Sequence, residues 1–186
     1  MKFFPYKPRK YQNEIIETIL QCLKEKKHLV FEAPAGSGKT ACVLAASLSF
    51  AIENGMGIVY LTRTNSQQKQ AIEELRRIKG KIRATSLQGR TNNCLLIEHI
   101  PSLKERNVNN EEVARLCAAR KKRSLEAMKG KEEWNRCIFF ENFLALRSEI
   151  TFEDVVAAEE LVEYGKEKKV CAYEINKMLV KEADIV

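Results

Sequence analysis

Apolar residues near the start of the chain recur every three or four positions, which is the period of one face of an α-helix. A charged segment, 24–27, follows this stripe. The pattern therefore predicts a first amphipathic helix that ends near residue 24. The stripe consists of Ile15, Ile16, Ile19, Leu20 and Leu23.

Short apolar runs and helix-like segments then alternate along the chain. Leu29 to Phe31 and Ile58 to Leu61 predict buried strands, and the apolar segment 41–52 between them predicts a helix that stops at Asn54-Gly55. A stripe of Ile72, Leu75 and Ile78 predicts a further helix from about residue 66 to Gly80, ahead of a strand near 82–87. This order is typical of a parallel α/β domain.

The alternation stops after Gly89. Residues 90–175 predict a mostly helical, basic segment that contains four of the six cysteines. We interpret 1–89 as the first part of an α/β domain, 90–175 as an inserted helical module, and 176–186 as the return to the first domain. The predicted fold class is thus α/β with a helical insertion.

The segment between the first predicted strand and the following helix reads Glu-Ala-Pro-Ala-Gly-Ser-Gly-Lys-Thr at 32–40. Two glycines let the backbone N–H groups turn inward, a lysine reaches the outer phosphates, and a threonine hydroxyl can hold Mg²⁺. Ala33 occupies the place of the first consensus glycine, which is the least essential position of this motif. The pattern predicts a P-loop for ATP with Mg²⁺, with candidate residues Ala35, Gly36, Ser37, Gly38, Lys39 and Thr40.

Composition narrows the class of partner. The chain has 186 residues, a formal charge of +7 and 31% charged residues, so nucleic acid is a plausible polyanionic partner, and a merely soluble Lys/Glu-rich surface is the alternative. No apolar run approaches the roughly 20 residues that a membrane helix needs, and the basic start has no adjoining apolar segment. We therefore expect a soluble, cytoplasmic protein with no membrane partner.

Four cysteines are spread over the predicted insertion, with gaps that match neither zinc-ribbon pairs nor ferredoxin runs. In an intracellular chain, cysteines are more often metal ligands, reactive thiols or core residues than disulfides. Chemistry alone leaves two interpretations of these four, a shared metal centre or buried thiols. Cys22 and Cys42 lie in predicted helices outside the insertion and are interpreted as core residues. The four are Cys94, Cys117, Cys137 and Cys171.

Several of these segments, in this order, resemble the XPD-type DNA repair helicases of superfamily 2, which carry an iron–sulfur domain inside their first RecA-like motor domain. The opening segment 4–12 is similar to the family's adenine-side region, and 32–40 is similar to its motif I. Residues 60–67 resemble motif Ia, and 89–94 resemble the run that ends in the first cluster ligand.

The resemblance implies that the four cysteines of the insertion ligate a 4Fe-4S cluster. Ala172 departs from the proline that commonly follows the fourth cysteine in the family, which affects backbone stiffness more than ligation. The resemblance also implies that Arg9 and Gln12 face the base of ATP. Arg63 and Thr64 are then expected to contact DNA phosphates.

At the level of the whole family, the resemblance implies ATP-driven movement 5′ to 3′ along single-stranded and forked DNA by a monomeric motor that acts in nucleotide excision repair. Such a motor is nuclear in a eukaryote. Arg90, Lys121 and Lys122 are hypothesised to line a DNA path near the cluster, and an ordinary solvated helix face is the alternative.

The chain departs from the family pattern in its acidic residues. Asp154 and Asp184 are its only aspartates, and no Asp-Glu-x-His sequence is present. We therefore expect that the chain ends before motif II and that it needs the remaining helicase domains for ATP hydrolysis. Two other classes stay open: a different P-loop enzyme with a zinc-binding module, and a noncatalytic module that binds nucleic acid.

Overall fold

The computed structural model describes residues 2–100, 108–152 and 154–186. The chain divides into two compact units, which we call unit 1 and unit 2. Unit 1 comprises Met1–Thr85 with Glu182–Val186, and unit 2 comprises Ser86–Lys181. The predicted boundaries at 89/90 and 175/176 differ from these by a few residues.

The helices of unit 1 follow the predicted apolar stripes. Helix α1 spans Gln12–Lys24, α2 spans Lys39–Glu53 and α3 spans Asn65–Arg77. Ile16 and Ile19 of α1 pack with Cys42 and Ala46 of α2, and all four side chains are buried. The apolar stripe of α1 therefore packs against the helix that follows the P-loop, which holds that helix in place.

Isolated parallel bridges in unit 1 connect the segment 184–186 to two earlier segments. Ile185 forms parallel bridges with Ile58 on one side and with Ala84, in strand β1 (Ala84–Thr85), on the other. The Ile58 N–H donates to the Asp184 carbonyl over 2.9 Å, and the Tyr60 N–H donates to the Val186 carbonyl over 2.7 Å. A segment remote in sequence thus joins two segments of the first half of the chain.

The predicted buried strand at 29–31 is not observed. Residues 28–34 form neither strand nor helix, and Val30 is 96% exposed. The predicted buried strand at 58–61 is observed only as a bridge at Ile58. It is not buried, since Val59 is 73% exposed and Leu61 is 87% exposed. A buried strand needs hydrogen-bonded neighbours and covered faces, and the described residues supply no ladder partner to 29–31.

Unit 2 is helical, as the sequence predicts. Its helices are α4 (Arg90–Asn93), α5 (Leu95–Glu98), α6 (Asn110–Ala127), α7 (Ile138–Leu146), α8 (Ala158–Lys168) and α9 (Ala172–Val180), with strand β2 at Val155–Val156. Asn109 caps α6 through a capping box with Glu112. The core contains Phe139, Phe140, Phe143, Leu161, Val170 and Ile175.

Gly165 lets the helices of unit 2 approach closely. A Cβ at this position would lie 2.8 Å from the Val170 carbonyl oxygen and 3.0 Å from Leu95 Cδ1. Both distances are shorter than normal van der Waals contact, so α8 can hold its position only without a side chain here. Within the described ranges, no helix has the length and apolar character of a membrane span.

Candidate functional site

The P-loop motif at 32–40 runs into the first turn of helix α2. Gly36 has φ 76° and Gly38 has φ 83°, a left-handed conformation that glycine adopts without steric strain. Gly38 is the N-cap of α2, so Lys39 and Thr40 form its first turn. The N-terminus of a helix attracts anions through its free N–H groups and its dipole. Both predicted phosphate-binding side chains are therefore at the position that the motif requires.

Lys39 is folded back on its own loop. Its Nζ donates to the carbonyl oxygens of Ala33 over 2.5 Å and Pro34 over 2.8 Å. These contacts occupy the ammonium group with backbone acceptors of the loop. A phosphate would have to take the place of these acceptors, with a stronger charge-assisted interaction.

Gln12 connects the segment before α1 to the P-loop. Its Oε1 accepts from the Arg9 N–H over 2.8 Å, and its Nε2 donates to the Ser37 carbonyl over 2.8 Å. Its side chain is buried, and a Cβ on Gly38 would lie 2.5 Å from Gln12 Nε2. Gln12 therefore contacts the loop directly, and a side chain at Gly38 would collide with its amide group.

An open cleft of about 1100 Å³ adjoins the loop. Most of the predicted nucleotide-binding residues line it, while Ser37 lines a cavity of about 570 Å³ beside Leu29 and Phe31 instead. The cleft is large enough for a ligand of nucleotide size. The predicted residues that line it are Arg9, Gln12, Ala35, Gly36, Gly38, Lys39 and Thr40.

One wall of this cleft was not predicted from the sequence. Tyr6 donates through its hydroxyl to Glu74 over 2.7 Å and accepts from Arg77 Nη1 over 3.2 Å. Burial raises the pKa of Tyr6, and the hydrogen bond to Glu74 acts in the same direction. These contacts attach the opening segment to α3 and form a polar edge of the cleft. Only the apolar stripe of α3 was visible in the sequence, and its polar face gave no comparable signal.

Arg63 and Thr64 have different surroundings. Arg63 lines the cleft beside the P-loop, while Thr64 is the N-cap of α3 and accepts from the Gln67 N–H over 3.3 Å. Thr64 thus has a local structural role as a helix cap. Contact of either residue with DNA stays a prediction.

The second candidate site lies in unit 2. Four thiols that are widely separated in sequence border one small cavity, together with the rings of Phe139, Phe140 and Tyr173. Cys137 is buried and the other three thiols are half-buried. Packing of unit 2 therefore brings together Cys94, Cys117, Cys137 and Cys171.

Three of these cysteines occupy the N-caps of α5, α7 and α9, and Cys117 lies within α6. Burial raises the pKa of Cys94 and Cys137, and raises that of Cys171 to about 12, whereas N–H groups in the first turn of each helix act in the opposite direction. Burial of Cys94, Cys137 and Cys171 therefore favours their protonated thiol form when no metal is bound. A metal that binds them must displace those protons.

The thiols of this cavity are candidate metal ligands. Among the described residues, no three His, Cys, Asp or Glu side chains are placed to hold one metal ion. Ligands of a single zinc must all lie about 2.3 Å from the same atom, whereas the thiolates around a cluster of several irons bind different atoms and stand farther apart. Four thiols border this one cavity, and thiolates are ligands of both zinc and iron–sulfur centres.

Three basic residues, Arg90, Arg120 and Lys121, lie at the border of the cavity, and two of them contact its aromatic rings. The Arg90 guanidinium lies 4.4 Å from the centre of the Tyr173 ring, and the Lys121 ammonium lies 4.5 Å from the centre of the Phe140 ring. Lys121 also pairs with Glu174 over 2.7 Å. Lys122 is exposed and borders a shallow groove of about 410 Å³, which Arg90 and Lys121 also line. Their contact with nucleic acid stays a prediction.

With both sites described, comparison with known proteins places the chain in a family. The DEAD_2 family profile matches residues 60–186, which is more than half of the chain. The chain belongs to the DEAD_2 family. The match covers the whole of unit 2 and, in unit 1, residues 60–85 and 182–186.

Curated relatives of this DEAD_2 chain are named as helicases. It is 28% identical over 226 residues to regulator of telomere elongation helicase 1 of Bos taurus, covering 98% of this chain and 17% of the relative. It is 29% identical over 206 residues to the general transcription and DNA repair factor IIH helicase subunit XPD of Dictyostelium discoideum, covering 99% and 24%. A homologue of the telomere regulator in Arabidopsis thaliana is 30% identical over 218 residues, covering 98% and 20%. The chain thus spans a quarter or less of the length of these relatives.

Proposed function

We propose that this DEAD_2 chain is part of an ATP-dependent DNA helicase of the XPD type that acts in DNA repair and moves 5′ to 3′ on single-stranded DNA. The observation that carries the proposal is the P-loop, whose lysine and threonine begin α2 at the edge of a nucleotide-sized cleft. The names of the curated relatives support the same class of activity.

In this proposal, Lys39 leaves the carbonyl oxygens of its own loop and binds the outer phosphates of ATP. The Thr40 hydroxyl holds Mg²⁺, and the N–H groups of the loop bind the remaining phosphate oxygens. Gln12 keeps the loop and the segment around Arg9 in a fixed relation, which orients the base side of the cleft. Hydrolysis needs a carboxylate that orients water, and the sequence contains no Asp-Glu-x-His to supply it.

The four thiols of unit 2 would hold a 4Fe-4S cluster in the same proposal. Their shared cavity supports one common metal centre, and the resemblance of the chain to iron–sulfur helicases favours a cluster over the zinc alternative. When bound, such a cluster crosslinks the helices that carry the thiols and can exchange an electron. The four thiols would lose their protons on binding. Cys137 and Cys171 would then hold the first turns of α7 and α9 at the centre.

The nucleotide part of the proposal is tested with Lys39→Ala and a control, Lys24→Ala, which removes an exposed charge from the last turn of α1. We expect the affinity for a fluorescent ATP analogue with Mg²⁺ to fall roughly ten- to a hundredfold for Lys39→Ala, because a charge-assisted contact contributes about 1.5–3 kcal/mol. Equilibrium titration measures this change.

Lys24→Ala should bind the analogue like the unaltered chain, and circular dichroism should show the same helix content in all three proteins. Equal affinity of the Lys39 variant would contradict the assignment of the P-loop. We expect no ATP turnover above background in any of them.

A further inference from the structure

Lys121 is one of the cations that the sequence suggests for DNA binding, and it lines both the shallow groove beside Lys122 and the cavity of the four thiols. It follows Cys117 by one turn of α6, and residues four apart on a helix share a face. It borders the cavity that the four thiols share. Lys122, the next residue, is exposed and does not line that cavity. Two adjacent lysines are thus in different environments.

The ammonium of Lys121 is held by two contacts. It lies 4.5 Å from the centre of the Phe140 ring and 2.7 Å from Glu174 Oε1. The side chains of Lys121 and Glu174 are only 23% and 11% exposed. Lys177 lies 3.8 Å from the other oxygen of the same carboxylate.

Glu174 is connected to the thiols in the same way. It lies in the first turn of α9, three residues after Cys171, and its N–H donates to the Cys171 carbonyl over 3.1 Å. The ion pair therefore joins the helix that carries Cys117 to the helix that begins at Cys171. Removing two charges from water is costly, so a largely buried pair is weak support for stability as its main role.

We infer that Lys121 is a positioning residue of the cysteine cavity, and that its charge and that of Glu174 set the reduction potential of the bound iron–sulfur cluster in opposite directions. This inference depends on the cluster that we propose above. Four thiolates give such a centre a net negative charge, and reduction adds one more electron. A nearby cation therefore favours the reduced form, and a nearby carboxylate disfavours it.

The experiment uses the cluster-loaded chain, prepared without oxygen, and three variants. Lys121→Gln removes the cation, Glu174→Gln removes the carboxylate while keeping its shape, and Lys122→Gln is the matched control on the adjacent exposed residue. Iron and sulfide contents are measured first, and the midpoint potential is then measured by a redox titration followed by electron paramagnetic resonance.

We expect Lys121→Gln to lower the midpoint potential and Glu174→Gln to raise it, while Lys122→Gln leaves it unaltered. Lys121→Arg keeps the charge, so its midpoint potential should stay close to that of the unaltered chain. A merely structural pair would lose iron in both Gln variants or move both potentials in the same direction. Either result, or unaltered potentials at full iron content, overturns the inference.

Binding of single-stranded oligonucleotides at several salt concentrations separates this role from a nucleic-acid contact. A lysine bound to a phosphate contributes close to one unit to the slope of log affinity against log salt. We expect Lys121→Gln to leave the slope unaltered. A decrease of close to one unit in the slope would mean that Lys121 binds a DNA phosphate instead. Absence of iron and sulfide from the unaltered chain would contradict the proposed cluster itself, which is a different outcome from unshifted potentials.

Discussion

Units 1 and 2 hold their candidate sites in different ways. In unit 1, the phosphate loop is one contiguous segment whose shape depends on two left-handed glycines and on Gln12, while nearby apolar side chains such as Val30 and Leu61 remain exposed. In unit 2, the thiols border a cavity next to a packed core in which Leu161 and Ile175 are 0% exposed.

The shape of the phosphate loop depends on nearby residues, whereas the shape of the thiol cavity depends on the packing of the whole unit. A loop built from neighbouring residues keeps its shape as long as its own backbone and one bracing side chain are intact. A cavity built from four distant thiols keeps its shape only while the helices that carry them remain packed. Core substitutions in unit 2 should therefore damage the thiol site and leave the phosphate site functional.

The largest expected effect comes from a cavity thiol. Cys171→Ser should reduce the iron content of anaerobically prepared protein from about four per chain to near zero, because serine does not replace a thiolate ligand of the cluster. Iron and sulfide analysis with visible absorbance measures the loss. Binding of an ATP analogue should be unaltered, since the phosphate site is in the other unit.

Cys22→Ser is the control for this prediction, because Cys22 lies in α1 of unit 1. It should keep its full iron content. If both variants retained iron equally, Cys171 would not be a ligand and the cavity would be a site of buried thiols.

A matched pair of leucines tests the contrast in packing. Leu161→Ala removes a fully buried side chain of unit 2 and should lower the free energy of unfolding by about 2–5 kcal/mol. Leu61→Ala removes a side chain that is 87% exposed, and its effect should stay within about 0.5 kcal/mol. Urea unfolding followed by circular dichroism measures both values, and similar losses in the two variants would contradict the contrast.

The parts of the fold that depend on local sequence were predicted correctly. The stripes of α1, α2 and α3 and the start of α2 directly after the glycines of 32–40 are fixed by residues a few positions apart, which a pattern can reveal. The prediction of a strand at 29–31 was wrong, and the predicted strand at 58–61 is reduced to a bridge at Ile58. Strands depend on hydrogen-bonded partners, which the pattern of one segment does not specify. The partner of Ile58 is Ile185, far along the chain.

The same reasoning applies to the candidate sites. The spacing of the four cysteines did not decide between a metal centre and buried thiols. Only the packing of unit 2 shows that they border one cavity. The pairing of Lys121 with Glu174 joins residues 53 positions apart, so the basic run on α6 gave no indication of it. The polar face of α3 that meets Tyr6 was missed for the same reason.

The smallest expected effect concerns two glycines. Gly165→Ala introduces a Cβ only 2.8 Å from the Val170 carbonyl oxygen, and Val170 directly precedes a cavity thiol, Cys171. Alanine adds about 1 kcal/mol of helix propensity in α8, but the clash costs about 1–3 kcal/mol. We expect a net loss of stability of about 1 kcal/mol with partial loss of iron.

Gly57→Ala is the matched control, since its Cβ would meet nothing within 4 Å. It should leave both urea unfolding and iron content unaltered. If Gly165→Ala instead stabilised the chain and kept its iron, helices α8 and α9 could separate by a few tenths of an ångström without disturbing the thiols. The thiol site would then tolerate movement of its surrounding helices as the phosphate loop does, and the distinction between local and global dependence would not apply to this part of unit 2.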